Sequence, residues 1–402
     1  MSERKKKLYL ILSLGFLSAI GPFSIDMYLP GFNEIAADLN TDIAHIGLSL
    51  SSFFIGISVG QLIYGPLLDR YGRKGPLYIG LGIYIISSFA SVLVHDADQL
   101  IGLRFFQALG SCAGMVASRA LVRDLFPISE IAKTFSYLML VIALSPIIAP
   151  TFGGFLAFRF PWQSIFITLG IIGILTILST VYWIPSGREP DKTKSLKPKS
   201  ILKSYAEVAI NPHFYIYAVV SSISFSGLYA YIGGSADLFL NYYKLSQQEY
   251  GIIFAVISIG MTISGQINTI LLKKFSSEKI TFNALVIQCI IGVVMLLMYE
   301  VGWVNLFTTV IFICIFLSML GLIFPNTSAM TLEPFSRNAG TASALMGSLQ
   351  LGMGAMVTGI VNVIPHHGGH LIYIIMLICC VVSILVFQIG TVKVFPKYNT
   401  IT

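Results

Sequence analysis

The sequence has little charge. Asp, Glu, Lys and Arg make up 11% of its 402 residues, whereas about 25% of an ordinary soluble domain is charged. Hydrophobic residues account for 55% of the chain, and uncharged runs of about 18 or more residues recur along its whole length. This composition excludes a soluble globular protein, because one core cannot bury so many apolar side chains. It predicts an all-α integral membrane protein with many spans.

Cysteine is also scarce, and its placement excludes a disulfide framework. All of the cysteines lie inside apolar segments, where disulfides are not built: Cys112, Cys289, Cys314, Cys379 and Cys380. We expect them to be packing residues. The first apolar run is too long for a cleaved signal peptide, and no clear small-residue cleavage site follows it. We therefore expect it to be a retained first helix.

Uncharged runs bounded by charges or turn residues predict twelve spans. Their positions are 8–29, 45–67, 76–94, 99–118, 134–157, 162–184, 213–236, 250–272, 280–299, 303–330, 338–363 and 369–391. With a cytoplasmic amino terminus, only Arg104, Arg159 and Lys244 fall outside the cytoplasmic segments, which then hold 22 of the 25 cations. This asymmetry predicts that both termini are cytoplasmic, since cytoplasmic loops of membrane proteins are enriched in Lys and Arg.

One long polar connection separates six spans from six. We expect an N-terminal six-helix bundle over residues 1–184, a basic cytoplasmic linker over 185–212 and a C-terminal six-helix bundle over 213–402. The linker's lysines fit a solvated segment near anionic headgroups, so no nucleic-acid partner is expected. Short matches between the start of each half, such as SIDMYL at 24–29 and SADLFL at 235–240, indicate two pseudo-symmetric halves with a substrate site between them.

The connection after span 2 carries a patterned charge motif, GPLLDRYGRK at residues 65–74. Glycine is expected where a tight turn needs a left-handed backbone, and cations are expected on the cytoplasmic side. Asp69 is expected either to bind neighbouring arginines or to face a helix amino terminus, such as that near Ser336, and so to latch one conformation. The alternative is an ordinary charged loop. The motif residues are Gly65, Asp69, Arg70, Gly72, Arg73 and Lys74.

Several motifs together resemble the major facilitator superfamily. The 65–74 pattern resembles its loop signature, RFFQALG at 104–110 is similar to its span 4 motif, and SPIIAPTFGG at 145–154 looks like the antiporter motif of drug exporters. The runs GPFSIDMYLP at 21–30 and SRALVRD at 118–124 are most similar to the bicyclomycin-resistance/CflA group of drug:proton antiporters. The resemblance covers essentially the whole chain, but its specific motifs all lie in the first half. It implies twelve helices and alternating access.

The resemblance also implies roles for ionisable residues inside spans. An ionisable group near the bilayer centre costs about 2.5–3.5 kcal/mol, so it is kept where it has a role or a partner. Asp26 lies about four residues from the outer end of span 1 and Arg104 about five residues into span 4, so their similar depth predicts that they face one cavity. By resemblance, Asp26 is expected to couple protons and substrate, and Arg104, with Gln107 of the same motif, to take part in the proton relay. The alternatives are that Asp26 is a helix-end surface residue and that Arg104 is a structural hydrogen-bond donor.

Further candidates lie in span 5 and among the aromatic residues. In span 5, Pro146, Pro150, Gly153 and Gly154 are expected either to seal the halves against proton leak or merely to kink a helix. Asp237 has no clear role in the resemblance. The candidates for an adaptable, greasy cavity are Tyr28, Phe53, Phe54, Tyr231, Asp237 and Met346. His366, His367 and His370 lack an acidic or cysteine co-ligand, so no metal is expected.

These observations predict a proton-coupled multidrug exporter of the bacterial inner membrane. It would act as a monomer on small drugs and protons in the lipid bilayer, with the proton gradient instead of a cofactor as its energy source. A facilitator or symporter for a metabolite is the alternative. A membrane-embedded enzyme is disfavoured, because the spans carry no catalytic constellation.

Overall fold

Helices account for nearly all of the chain in the computed structural model, which describes residues 3–335, 338–364 and 368–394. Fifteen α-helices and no strand occur in these ranges. In chain order they are α1 Glu3–Asp26, α2 Phe32–Asp38, α3 Ile43–Tyr71, α4 Lys74–Ala90, α5 Ala97–Leu125, α6 Ile128–Arg159, α7 Gln163–Trp183, α8 Pro198–Ala209, α9 Pro212–Ala236, α10 Gln247–Leu271, α11 Ser277–Glu300, α12 Leu306–Ser318, α13 Leu320–Leu332, α14 Ala339–Val363 and α15 His370–Val394.

Twelve helical segments of the described chain are long and apolar enough to cross a membrane, which confirms the predicted number. Four of them are composite. A 3₁₀ turn, Leu29–Gly31, joins α1 to α2, and another, Ser91–Leu93, extends α4. A π-helical turn, Asp237–Tyr242, extends α9, and α12 with α13 forms one segment. Helix α8 is the only described α-helix that belongs to none of the twelve.

Side chains define where several helices begin. Asp42 accepts a hydrogen bond from the His45 amide (2.7 Å) at the start of α3, and Asp96 accepts one from the Gln99 amide (2.8 Å) at the start of α5. Such N-caps stabilise a helix by about 1 kcal/mol, because they satisfy an amide that has no partner within the helix. The caps fix the polar ends of two long apolar helices.

The chain divides into two units. Unit 1 comprises Met1–Ile201 and Ser246–Ala255, and unit 2 comprises Leu202–Leu245 and Val256–Thr402. In unit 1, α1, α3 and α4 pack against α5. Small residues permit this close packing: a Cβ on Gly56 of α3 would lie 2.5 Å from the Phe105 carbonyl oxygen of α5. Glycine at such contacts lets helix backbones approach each other in membranes.

Helix α9 is the central helix of unit 2. It packs against α13, α14 and α15, and most of its residues are buried. A Cβ on Gly354 of α14 would lie 2.5 Å from the Tyr229 ring of α9, so small residues allow close packing here as well. Unit 2 therefore has its own tightly packed centre.

Two segments contain helical structure that the sequence did not predict. The first span was expected to end near residue 29, but its helical segment continues to Asp38, because the backbone passes Pro30 in a 3₁₀ turn and resumes as α2. The linker was expected to be a solvated basic segment, and α8 forms within it. Ile201, Tyr205 and Val208 share one face of α8, and Val208 is buried, so burial of an apolar face explains this helix.

Candidate functional site

Asp26 is the last residue of α1, and it lies inside unit 1. Its side chain is 5% exposed. The next residues along the chain, Met27, Tyr28 and Leu29, are fully buried. Asp38, where the first apolar helical segment ends, is twelve residues further along the chain. Asp26 is therefore buried within unit 1, and it is not an exposed residue at a helix end.

The backbone after Asp26 is irregular, and α6 packs directly on it. The α-helix stops at Asp26 and a 3₁₀ turn begins at Leu29. A Cβ on Gly153 of α6 would collide with the Met27 carbonyl oxygen and would lie 2.9 Å from the Met27 Cα. Only glycine fits this contact without a shift of the backbone. The helix break beside Asp26 is therefore held by a residue of the span 5 motif.

Arg104 of α5 is fully buried beside this break. Its Nη2 donates a hydrogen bond to the Ser24 carbonyl oxygen (2.9 Å), and its Nη1 donates one to Gln107 Oε1 (2.6 Å). Its guanidinium carbon lies 4.5 Å from the centre of the Tyr28 ring and 4.2 Å from that of Phe53. Two oxygen acceptors and two aromatic faces thus stabilise the buried charge, since cation–π contacts strengthen when desolvated, while Nε has no hydrogen-bond partner among the described residues.

Polar side chains around Arg104 form a connected network. Gln107 Nε2 donates to Ser88 Oγ (2.8 Å), and Ser88 Oγ donates to the Tyr84 carbonyl oxygen (2.7 Å). The Tyr84 hydroxyl and Ser24 Oγ share a hydrogen bond of 2.8 Å. The network links α1, α4 and α5. It fixes the turn that carries Ser24, two residues before Asp26.

Asp26 ends α1, and Arg104 of α5 contacts the last turn of α1, but the two side chains form no ion pair. Among the described residues, the Asp26 carboxylate has no hydrogen-bond or ion-pair partner. Arg104 instead contacts the main chain at Ser24. The two residues predicted to share a site are therefore connected through the α1 backbone.

The loop motif forms an ion-pair cluster at the other end of unit 1's helices α3 and α5. Arg73 Nη1 donates to Asp69 Oδ1 (2.7 Å), and Arg73 Nε donates to Asp124 Oδ2 (2.7 Å). Burial alone would lower the pKa of Arg73, but its hydrogen bonds to Asp124 and Asp69 outweigh burial and hold that pKa above its usual value. Arg73 is therefore a permanent cation that joins two helices.

The remaining residues of the loop motif lie in α3, in α4 and in the turn between them. Gly72 has a φ of +80°, so it fits the expected left-handed turn, whereas Gly65 lies inside α3 with no atom within 4 Å of a Cβ built on it. Arg70 lies in the last turn of α3, and half-buried Lys74 begins α4. The prediction for Asp69 had two forms, and the structure pairs it with Arg73. Ser336 lies outside the described residues.

The other span 5 residues also lie on α6. The helix continues through Pro146 and Pro150, each of which removes one main-chain hydrogen bond. A Cβ on Gly154 would lie 2.6 Å from the Gln247 carbonyl oxygen, within the Ser246–Ala255 segment of unit 1. Gly153 and Gly154 thus make close backbone contacts with two different segments.

The aromatic candidates divide between the two units. In unit 1, Tyr28 and Phe53 stack on Arg104, and Phe54 is fully buried. In unit 2, the ring of buried Tyr231 meets that of Phe239 edge to face, with 6.5 Å between their centres. Sequence reasoning grouped them as cavity residues, and the structure brings only Tyr28 and Phe53 to the Arg104 site.

Asp237 and Met346 are both in unit 2. Asp237 is half-buried at the start of the π-helical turn and accepts a hydrogen bond from Asn241 Nδ2 (2.8 Å). Met346 packs in an apolar cluster with Val208, Phe214 and Ala342. Met346 thus anchors α8.

No group of three His, Cys, Asp or Glu side chains suited to a metal ion occurs in the described chain. His370 stacks on Tyr299 with 5.0 Å between ring centres, and its Nε2 lies 2.9 Å from Glu300 Oε1. His366 and His367 lie outside the described residues.

Sequence reasoning gave no role to Ser24, Tyr84, Ser88 or Asp124. Of these, Asp124 had a signal, since it ends the 118–124 motif.

Known proteins are similar to this chain along most of its length. The model of the Major Facilitator Superfamily matches residues 14–359. The chain is 34% identical over 364 residues to the uncharacterized MFS-type transporter YdgK of Bacillus subtilis, covering 89% of this chain and 90% of that protein. It is 28% identical over 393 residues to the bicyclomycin resistance protein homolog of Haemophilus influenzae, covering 97% and 98%. It is 27% identical over 361 residues to multidrug resistance protein D of Escherichia coli, covering 89% of each.

Proposed function

The chain belongs to the major facilitator superfamily, and on that premise we propose that it exports small amphipathic drugs from the cytoplasm in exchange for protons. Its similarity to proteins named for bicyclomycin and multidrug resistance confirms the resemblance to drug exporters. The chain is a membrane transporter of small molecules and not an enzyme. Those names support drug export, and the buried carboxyl group of Asp26 supports proton coupling.

The observation that carries the proposal is the buried carboxyl group of Asp26, which has no partner among the described residues. An ionised carboxylate without a partner is costly in a low-dielectric interior. A proton removes this cost, and so does a cationic group of a bound drug. The two would therefore compete for Asp26, and this competition would make them bind alternately.

The helix break supports placing the substrate site at Asp26. Irregular backbone within a span is tolerated where it is buried in protein or lines a cavity, and broken helices form the sites of many secondary transporters. The break at residues 27–31 directly follows Asp26 and packs on Gly153. A shift of α6 would thus be transmitted to the Asp26 carboxyl group.

Arg104 would act on Asp26 through the backbone. It binds the Ser24 carbonyl oxygen, so it fixes the turn that presents Asp26. Because its charge is balanced by Gln107, Tyr28 and Phe53, it leaves the Asp26 carboxylate free to take a proton or a drug. This positioning role supplements the relay role implied by the resemblance.

The topology of the proposed exporter follows from charge. The cation asymmetry along the sequence supports cytoplasmic termini, and the bacterial relatives support the inner membrane. Twelve apolar helices place the protein in the lipid bilayer. The proton gradient would supply the energy, with no cofactor, and the protein would act as a monomer.

Transport by purified protein in proteoliposomes tests the proposal. Ethidium serves as the amphipathic cationic probe, and an acidic lumen provides the proton gradient. We expect wild-type protein to accumulate ethidium only while the gradient is present, and we expect Asp26→Asn to reduce the initial rate by at least tenfold. Uptake of ethidium that ignores the gradient would favour a facilitator.

Asp98→Asn is the matched control. Asp98 is a carboxylate of the same unit whose side chain is 86% exposed, so its neutralisation should leave the initial rate within about twofold of wild type, as for surface substitutions generally. Equal losses in both variants would mean that overall charge, and not the buried Asp26 site, sets the rate.

A further inference from the structure

The first part of the linker lies directly on the loop motif of unit 1. The Asp191 amide donates a hydrogen bond to the Asp69 carbonyl oxygen (3.1 Å), and the Arg188 amide donates one to Asp124 Oδ2 (3.1 Å). Arg70 Nη1 donates to the carbonyl oxygens of Lys192 (3.3 Å) and Lys194. Residues 188 and 191 are thus attached to Asp124 and Asp69 of the Arg73 cluster, and residues 192 and 194 are attached to neighbouring Arg70.

Two glycines allow the close contact between loop and linker. Gly72 and Gly187 have φ angles of +80° and +73°, in the left-handed region. A Cβ on Gly72 would lie 3.3 Å from Pro190 Cγ, and a Cβ on Gly187 would lie 3.0 Å from Arg73 Cγ. Larger residues at either position would strain the backbone and crowd the contact.

A local turn shapes the segment for this contact. Asp191 Oδ1 accepts hydrogen bonds from the Thr193 hydroxyl (2.5 Å) and amide (3.1 Å), and the Lys194 amide donates to the Asp191 carbonyl oxygen (3.1 Å). The Thr193 hydroxyl and amide hold the pKa of Asp191 below its usual value, so the carboxylate that accepts these bonds is ionised at neutral pH. The turn presents the carbonyl groups of residues 192 and 194 to Arg70.

We propose that residues 187–194 form a strap that docks on the 65–74 loop, positions Asp69 and Arg73, and leaves the loop in any transport conformation that separates Lys194 from Val208 by more than the docked chain allows. The docking itself is independent of the transported substrate. The release step rests on the proposed function, because it needs alternating access.

The release step follows from chain length. Fully extended, the 28 residues of the 185–212 linker would span roughly 95 Å. With the strap docked, only the chain from Lys194 to Pro198 is extended, which spans about 14 Å, and α8 adds about 15 Å up to Val208. Val208 is anchored in the apolar cluster of unit 2. The docked strap therefore limits the separation of Lys194 and Val208 to roughly 29 Å.

Undocking lengthens this connection. Release of the chain from Lys194 back to Gly187 adds seven residues, or about 24 Å when extended. Any conformation that separates the anchored residues further than the docked length permits must therefore release the strap. The loop motif would lose its hydrogen bonds to residues 188–194 in that conformation.

An alternative explanation for the contact between strap and loop is that the lysine side chains of the linker act only through their charge. The strap uses the main-chain carbonyl groups of Lys192 and Lys194, and both side chains are exposed. Arg70→Gln removes the donor and Arg70→Lys retains one cationic donor. The double variant Lys192→Gln with Lys194→Gln changes net charge more than Arg70→Gln does and keeps the carbonyl acceptors.

Amide hydrogen exchange of the full-length protein in lipid nanodiscs tests docking, with no drug and no gradient. We expect the peptide containing residues 187–194 to exchange roughly tenfold faster in Arg70→Gln, as expected for loss of hydrogen bonds from a charged donor. Arg70→Lys should give an intermediate rate, and the double lysine variant should match wild type. An unchanged rate in Arg70→Gln, or equal acceleration in the double lysine variant, overturns docking.

Exchange during turnover tests release. In proteoliposomes with ethidium and a proton gradient, we expect exchange of the same peptide to accelerate at least threefold over the resting protein. Insertion of eight Gly and Ser residues between Ser195 and Leu196 adds up to about 27 Å, so the acceleration should disappear while ethidium transport continues. Acceleration that persists with the insertion overturns the length argument. A protein that shows protected resting amides but no ethidium transport would refute the proposed function and leave docking intact.

Discussion

The contact between Gly153 and the break after Asp26 gives a sharp prediction for Gly153→Ala. The added Cβ would collide with the Met27 carbonyl oxygen and approach its carbonyl carbon and Cα to 2.9 Å. Main-chain atoms cannot rotate away as a side chain does, so α1 and α6 must separate. Overpacking of this kind costs about 1–3 kcal/mol. Because Met27 follows Asp26, we also expect transport to fall more than stability alone explains.

Gly102→Ala is the matched control for this prediction. Gly102 lies inside α5 with no atom within 4 Å of a built Cβ, so both variants share the gain of about 1 kcal/mol that alanine gives within a helix. The difference between the two free energies of unfolding therefore isolates the collision, at about 1–3 kcal/mol. Reversible unfolding in mixed detergent micelles measures it. A difference below about 0.5 kcal/mol, the usual size of a surface effect, would refute the close contact.

Three further predictions concern the polar clusters of unit 1. Arg104→Lys keeps the charge but loses one of two hydrogen bonds and the planar stacking, so we expect a loss of about 1.5–3 kcal/mol in unfolding free energy; wild-type stability would contradict the described network. Arg73→Lys cannot reach Asp69 and Asp124 with the same geometry, and thermal unfolding should show a loss of about 1–3 kcal/mol. Lys7→Gln removes an exposed ion pair with Glu130, so its effect should stay below about 1 kcal/mol and shrink further in high salt.

Charge and hydropathy patterns predicted the fold well, because the membrane imposes them on every span. The number of helices followed from uncharged runs bounded by charges, and the comparisons confirm the family that the 65–74 and 145–154 motifs indicated. The helical continuation past Pro30 was missed, since proline normally ends an α-helix. A 3₁₀ turn accommodates Pro30 here, so the helical segment continues for twelve residues beyond Asp26.

The candidate site was predicted only in part, because pairing across helices is not visible in local patterns. Asp26 and Arg104 were selected as ionisable residues within spans, and the prediction expected them to share a cavity. The structure instead links Arg104 to the carbonyl group of Ser24, an acceptor that every residue type carries. Packing of the linker on Asp69 also relies on main-chain groups, so composition could show only that the linker is basic.

The competition of proton and drug for Asp26 is the central claim, and proton release on drug binding tests it most directly. Ethidium is added to unbuffered, detergent-purified protein, and the pH change is recorded for wild type, Asp26→Asn and Asp98→Asn. The account predicts release by wild type and by Asp98→Asn, and a loss of that release in Asp26→Asn while ethidium still binds. Full proton release from Asp26→Asn would contradict it.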